Sequence, residues 1–261
     1  MPPLMATSVT TLPQATVLGL PVSVCDDVLT AAVALHEQGG GQIVTLNAEM
    51  SMAALADPAL EAAIRGADLV IPDGAGVVWA LGRQGIRVRR APGIELARRL
   101  LEHAAAQQWR VALVGASPQV LETLCPRLAR EIPGLKLVMA IHGYADPRAW
   151  PELEERLLSQ QPDLTLVALG VPRQELWIQA LPHPLVGLWM GVGGSFDVWA
   201  GVKKRAPRWM GRIHLEWLYR LIQEPTRWRR MLALPAFVRA VLSGSPPRPA
   251  TQRPATGRRA G

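Results

Sequence analysis

Short apolar runs of strand length alternate with amphipathic runs of helix length through most of this chain. The Val-, Leu- and Ile-rich runs at 42–46, 68–71, 110–114, 135–141, 164–169 and 186–190 read as buried strands. Between them, 26–38, 49–66, 93–107, 118–131 and 149–160 read as helices. A strand, a helix and a second strand in sequence close as a right-handed crossover, which leaves the two strands parallel. Repeated, that unit predicts an α/β fold, a mostly parallel Rossmann-like sheet with helices on both faces. Ligands in such sheets bind beyond the carboxyl ends of the strands, where strand order reverses.

The segments that follow the predicted strands are polar and glycine-rich. They read Thr45-Leu46-Asn47, Pro72-Asp73-Gly74-Ala75-Gly76, Gly115-Ala116-Ser117-Pro118, Gly170-Val171-Pro172-Arg173-Gln174-Glu175 and Gly191-Val192-Gly193-Gly194-Ser195-Phe196-Asp197. Asp73, in a Pro-Asp-Gly turn, offers a carboxylate that can act as a general base or close its own turn. Thr45 and Asn47 are two residues apart, so on a strand their side chains share a face, suited to a sugar or to a loop cap. Gly115 and Ser117 join a strand to a helix whose free N–H groups suit a diphosphate. Gln174 and Glu175 open a helix and can bind hydroxyls or cap it. Neither the Gly-x-Gly-x-x-Gly dinucleotide pattern nor the Walker lysine pattern is present, which disfavours a dehydrogenase or a P-loop kinase. The five histidines show no ligand spacing, so no tightly bound metal and no cofactor are expected. Cys25 and Cys125 read as buried free thiols suited to a reducing cytoplasm.

Charge divides the chain in two. Residues 203–261 carry 14 Lys+Arg and two acids, Glu216 and Glu224, and are +12. The whole chain is +7, which leaves residues 1–202 at −5. The predicted organisation is a disordered N-terminus (1–14), an α/β body (15–202), a basic helical appendage (203–242) and a disordered tail (243–261). In the appendage a helix is expected over 212–222. Pro225 suits the first turn of a second helix, which Pro235 should kink or end. No apolar run approaches the roughly 18 residues of a membrane span, so any membrane contact is expected to be peripheral. A basic segment bearing Trp209, Trp217, Trp228 and Phe237 fits an anionic membrane surface, a phosphorylated lipid or a nucleic acid.

Taken in order, the strand-end segments resemble the WecG/TagA/CpsF family of bacterial glycosyltransferases. Thr45-Leu46-Asn47-Ala48-Glu49, Pro72-Asp73-Gly74-Ala75-Gly76-Val77, the Gly170 and Gly191 segments and Arg205-Ala206-Pro207 carry the likeness. Glu216-Trp217-Leu218-Tyr219-Arg220-Leu221 and Glu224-Pro225-Thr226-Arg227-Trp228 complete it. The resemblance implies an inverting, metal-independent enzyme that moves a sugar, commonly N-acetylmannosamine, from UDP to N-acetylglucosaminyl-diphospho-undecaprenol. The product would serve surface polysaccharide or teichoic-acid assembly. It implies Asp73 as catalytic base, with Thr45, Asn47 and Gln174 as polar partners. The family's arginine before a Gly-x-Asp element falls on Arg90, although Glu95 stands where Asp is usual. Without a metal, the departing UDP would be stabilised by arginines, for which Arg220, Arg227 and Arg230 are the candidates. On this reading the partners are a UDP-sugar, a polyprenyl-diphosphate-linked acceptor and the inner face of the cell membrane, with no nucleic acid. A UDP-glucose or UDP-uronic acid donor, association into a homo-oligomer and a nucleic-acid-binding α/β protein stay open at this point.

Overall fold

The structure, a computed structural model, describes residues 12–207, 210 and 216–244, without the side chains of 216, 220, 227 and 229. It opens with an antiparallel hairpin, β1 (Gln14–Val17) and β2 (Leu20–Ser23), turned through Leu18 and Gly19. The body then runs α1 (Val28–Glu37), β3 (Gly40–Leu46), α2 (Ala48–Ala56), α3 (Pro58–Arg65), β4 (Leu69–Pro72), α4 (Ala75–Arg83), α5 (Gly93–Ala106) and β5 (Arg110–Gly115). It continues with α6 (Pro118–Glu131), β6 (Lys136–Ile141), α7 (Trp150–Ser159), β7 (Leu164–Ala168), α8 (Arg173–Ala180), β8 (Gly187–Gly191) and α9 (Ser195–Trp199). The appendage supplies α10 (Glu216–Gln223), a 3-10 turn (Pro225–Arg227), α11 (Trp228–Met231) and α12 (Ala233–Ser243).

The six expected strands form one six-stranded sheet in the order β4-β3-β8-β7-β5-β6, and every pairing is parallel. Side chains alternate between its two faces. Ile43, Leu113, Leu166 and Met190 point to the layer of α1, α5 and α6, where Leu100, Leu101 and Leu124 are fully buried. Val44 and Leu46 point the other way, into a core shared with α2, α3 and α4. Val114, Val167 and Trp189 do the same beneath α7 and α8.

Three expectations are corrected. The helix expected over 49–66 is two, because Asp57 ends the first and caps the second, accepting from the Ala59 and Leu60 N–H groups ahead of Pro58. Pro235 does not break a helix. It is the third residue of α12, where a backbone N–H has no intrahelical acceptor to lose. Cys25 and Cys125 are half-buried rather than buried, and burial still raises both thiol pKa values. The appendage also contributes to the core of the body. Phe237 of α12 is 1% exposed and sits in the core with Ala48, Val77 and Ala80. Gly76 makes room for it, since a Cβ there would stand 3.3 Å from the Phe237 ring. The expected disorder of 1–14 and 243–261 concerns residues largely outside those described; β1 begins at Gln14, and α12 ends at Gly244 in the left-handed conformation.

Candidate active site

The carboxyl ends of β3, β4 and β8 surround a solvent-open cleft with an empty volume of ≈ 930 Å³. Its floor is built from strand ends. Thr45 projects from the last turn of pleat in β3, and Asp73 follows β4 directly. The Asp73 backbone N–H donates to the Leu46 carbonyl at 3.0 Å, so the ladder between β3 and β4 is carried one residue into the loop. The Asp73 carboxylate is set by α5: its Oδ1 accepts from the Gly93 N–H at 3.2 Å. Arg90 donates from Nε to the Asp73 carbonyl at 2.8 Å and lines the same cleft. A Cβ on Gly93 would stand 2.8 Å from the Thr45 Cγ2. Only glycine at the start of α5 therefore lets the helix N-terminus, Thr45 and Asp73 share one corner.

The front wall comes from the basic appendage. Lys203, Lys204, Arg205, Gln223 and Glu224 line the same cleft as Asp73, together with Val192, Gly194 and Ser195 beyond β8. Three pairs of residues clip this wall in place. Gln223 Nε2 donates to the Lys204 carbonyl at 2.9 Å, and the Lys204 N–H donates to Gln223 Oε1 at 3.3 Å. Lys203 pairs with Glu224 at 2.6 Å. Arg205 pairs with Glu95 on α5, which gives the acid at position 95 a partner the sequence did not reveal. These cations are 44–45% exposed, so each pair is worth at most about 1 kcal/mol. An incoming diphosphate can displace such a carboxylate at little cost. Lys203 and Lys204 were missed as site residues. The sequence signals for this wall were Arg205-Ala206-Pro207 and the segment opening with Glu224, both quoted for the family likeness and neither assigned a role in the site.

Other expected residues lie elsewhere. Asn47 caps α2, its Oδ1 accepting from the Met50 N–H at 2.9 Å, so its carbonyl oxygen does the capping job even though it adjoins the Asp73 loop. Gln174 and Glu175 do not line the cleft; each is 2% exposed. Gln174 Oε1 accepts from the Gly170 and Gly193 N–H groups, both at 3.1 Å, and so ties the loop after β7 to the loop after β8. Its Nε2 donates to Glu175 Oε1 at 2.7 Å, and burial pushes the Glu175 carboxyl up to about 7. Gly115 and Ser117 sit at the β5 end, three strand spacings from β3, roughly 14 Å away. There, connections diverge from neighbouring strands β5 and β7, the place where ligands were expected, yet the cleft with Asp73 lies off that point. Ser117 caps α6 through the Val120 N–H at 3.3 Å. Arg230 faces Glu49 at 3.5 Å rather than the cleft, and the side chains of Arg220 and Arg227 are outside those described. Among the described residues, no cluster of three or more His, Cys, Asp or Glu side chains is placed to hold a metal ion. Nor is any helix among them long and apolar enough to cross a membrane.

Comparison with known proteins bears on the same segments. The family described as "Glycosyl transferase WecG/TagA/CpsF family" matches residues 15–249. A Bacillus spizizenii protein named N-acetylglucosaminyldiphosphoundecaprenol N-acetyl-beta-D-mannosaminyltransferase is 39% identical over 210 residues, 80% of this chain and 81% of that one. A Bacillus subtilis protein of the same name is 36% identical over the same shares.

Proposed function

The chain belongs to the WecG/TagA/CpsF family of glycosyl transferases, and on that premise we propose that it moves N-acetylmannosamine from UDP to N-acetylglucosaminyl-diphospho-undecaprenol. The relatives carry that acceptor and that sugar in their names. The observation that carries the reading here is the cleft itself, which an oriented carboxylate, Asp73, lines together with the cationic run Lys203-Lys204-Arg205.

A transfer between two sugars needs a base on the acceptor side and charge stabilisation on the donor side. Asp73 takes the proton of the acceptor hydroxyl as that oxygen attacks the anomeric carbon, while the bond to the UDP oxygen breaks. Attack opposite the leaving group inverts the anomeric centre. The Gly93 N–H fixes the carboxylate so that this approach is preset. Arg90 and the wall of Lys203, Lys204 and Arg205 meet the charge that grows on the diphosphate, which supports a reaction without a metal. The sequence had assigned this role to Arg220, Arg227 and Arg230; Arg230 faces Glu49, the side chains of Arg220 and Arg227 are outside those described, and the segment 203–205 lines the cleft. Thr45 is within the cleft to hydrogen-bond the sugar, and Gln174 serves by holding the two loops that shape the far side.

The appendage suits a peripheral position on an anionic membrane, the inner face on this reading. Ile222, Trp228, Leu232 and Leu242 are each more than half exposed, beside the exposed Arg230 and Arg239. Apolar anchors among cations fit a headgroup layer, where each basic residue adds about 1 kcal/mol. The test is transfer from a panel of UDP-sugars to a short-tailed N-acetylglucosaminyl-diphospho-lipid, with and without EDTA. N-acetylmannosamine should transfer fastest, with inverted anomeric configuration and no loss in EDTA. A faster UDP-glucose or UDP-uronic acid would move the chain to another donor. Activity abolished by EDTA and restored by magnesium or manganese would overturn the metal-free mechanism.

A further inference from the structure

We propose that the apolar groove between α4 and α12 holds the first isoprene units of the acceptor's lipid tail, with Arg90 marking where the diphosphate lies. The inference rests on the lipid-linked acceptor proposed above and says where in this chain the lipid goes. Ala75, Gly76, Val78, Trp79 and Val238 line the groove, and Arg90 is its one charged member among the described residues. Trp79 is 38% and Val238 41% exposed, so the trough opens to the outside although its floor rests on the buried Phe237.

Position argues for the occupant. Ala75 is the first residue of α4 and follows Asp73-Gly74, so the groove starts within one helical turn of the carboxylate. Arg90 lines both the cleft and the groove, which joins them at a single guanidinium. Moving outward, the molecule presents a carboxylate, then a cation, then an apolar trough. A lipid-linked sugar presents a hydroxyl, then a diphosphate, then a hydrocarbon chain, in the same order. A soluble sugar acceptor would leave the trough without a use. The outer end suits a tail that continues into a bilayer: the Arg83 guanidinium stands 5.8 Å from the centre of the Trp79 ring, and the exposed Arg239 follows Val238. Both cations can meet anionic headgroups while the chain passes between them.

The experiment varies the tail. N-acetylglucosaminyl diphosphate capped with methyl, geranyl or farnesyl groups is offered to the full chain and to the Trp79→Ala/Val238→Gln double variant. The KM of the wild-type chain should fall roughly tenfold from methyl to farnesyl, the scale of burying part of an apolar chain. The double variant should lose most of that dependence. Both substitutions are at exposed positions, and Val78→Ser provides a milder second variant with the same expected direction. A second arm needs no turnover: farnesyl diphosphate, geranyl diphosphate and inorganic diphosphate are titrated calorimetrically without donor. Wild type should prefer the longer tail, and the variants should not. If transfer occurs but the KM ratio is the same in both chains, the groove assignment is wrong and the acceptor reading survives. If no sugar is transferred yet farnesyl diphosphate binding depends on Trp79 and Val238, the groove stands and the reaction is wrong. A variant that changes only sedimentation would make the groove an interface between copies of this chain and overturn the proposal.

Discussion

Replacing Glu175 with Gln should make the protein more stable above neutral pH and leave it nearly unchanged near pH 5. Glu175 is 2% exposed, and its Oε2 finds no hydrogen-bond partner among the described residues. Burial away from water disfavours the charged form, and the Gln174 amide on Oε1 only partly offsets this. The folded-state pKa is therefore raised from 4.5 to about 7. Between these values the folded chain keeps a proton that the unfolded chain has released, so stability falls as pH rises through this window. At about 1.4 kcal/mol per pH unit, the gap amounts to about 3 kcal/mol, fully lost above the folded pKa. Glutamine has nearly the same shape and no charge to desolvate. Urea unfolding of both chains from pH 5 to pH 8.5 measures the effect, and the difference between them removes the contribution of every other titrating group. The unfolding free energy of Glu175→Gln should overtake that of the wild type by about 3 kcal/mol across the range. A difference that stays flat would show that Glu175 is ionised in the folded chain and that burial does not govern it.

Asp73→Asn should keep the fold and lower turnover by roughly 100-fold or more, the scale of a lost general base; near-normal turnover would remove Asp73 from that role. Gly93→Ala should damage activity more than stability, because its Cβ would press on Thr45 at 2.8 Å and shift the N–H that holds Asp73; steady-state kinetics beside a thermal melt separates the two. Phe237→Ala should cost about 3–5 kcal/mol in denaturant unfolding, since a fully buried ring leaves a cavity behind. For the same reason a chain ending before residue 203 should melt at a lower temperature than the full chain, and an unchanged melting temperature would show that α12 contributes nothing to the core.

The parallel sheet was legible in the sequence because strands buried on both faces read as continuous apolar runs, and all six were found in chain order. Asp73 and Thr45 were placed at strand ends by the chain pattern, and the cleft opens at those ends; Arg90, suggested by the family likeness alone, lines the same cleft. Strand order was not legible. It depends on which strands pair across long separations, as β3 does with β8, and no local preference encodes that. The hairpin of β1 and β2 escaped because its strands are four residues each. Gln174 and Glu175 illustrate the limit most directly. Their place at a helix start was readable, but whether an amide faces a ligand or two backbone N–H groups depends on how the β7 and β8 loops approach each other. The charge of the appendage was plain from composition, and its use was not. Only the tertiary structure seats Phe237 in the core and brings Lys203, Lys204 and Arg205 into one cleft with Asp73, because burial and apposition belong to the folded chain rather than to any segment of it.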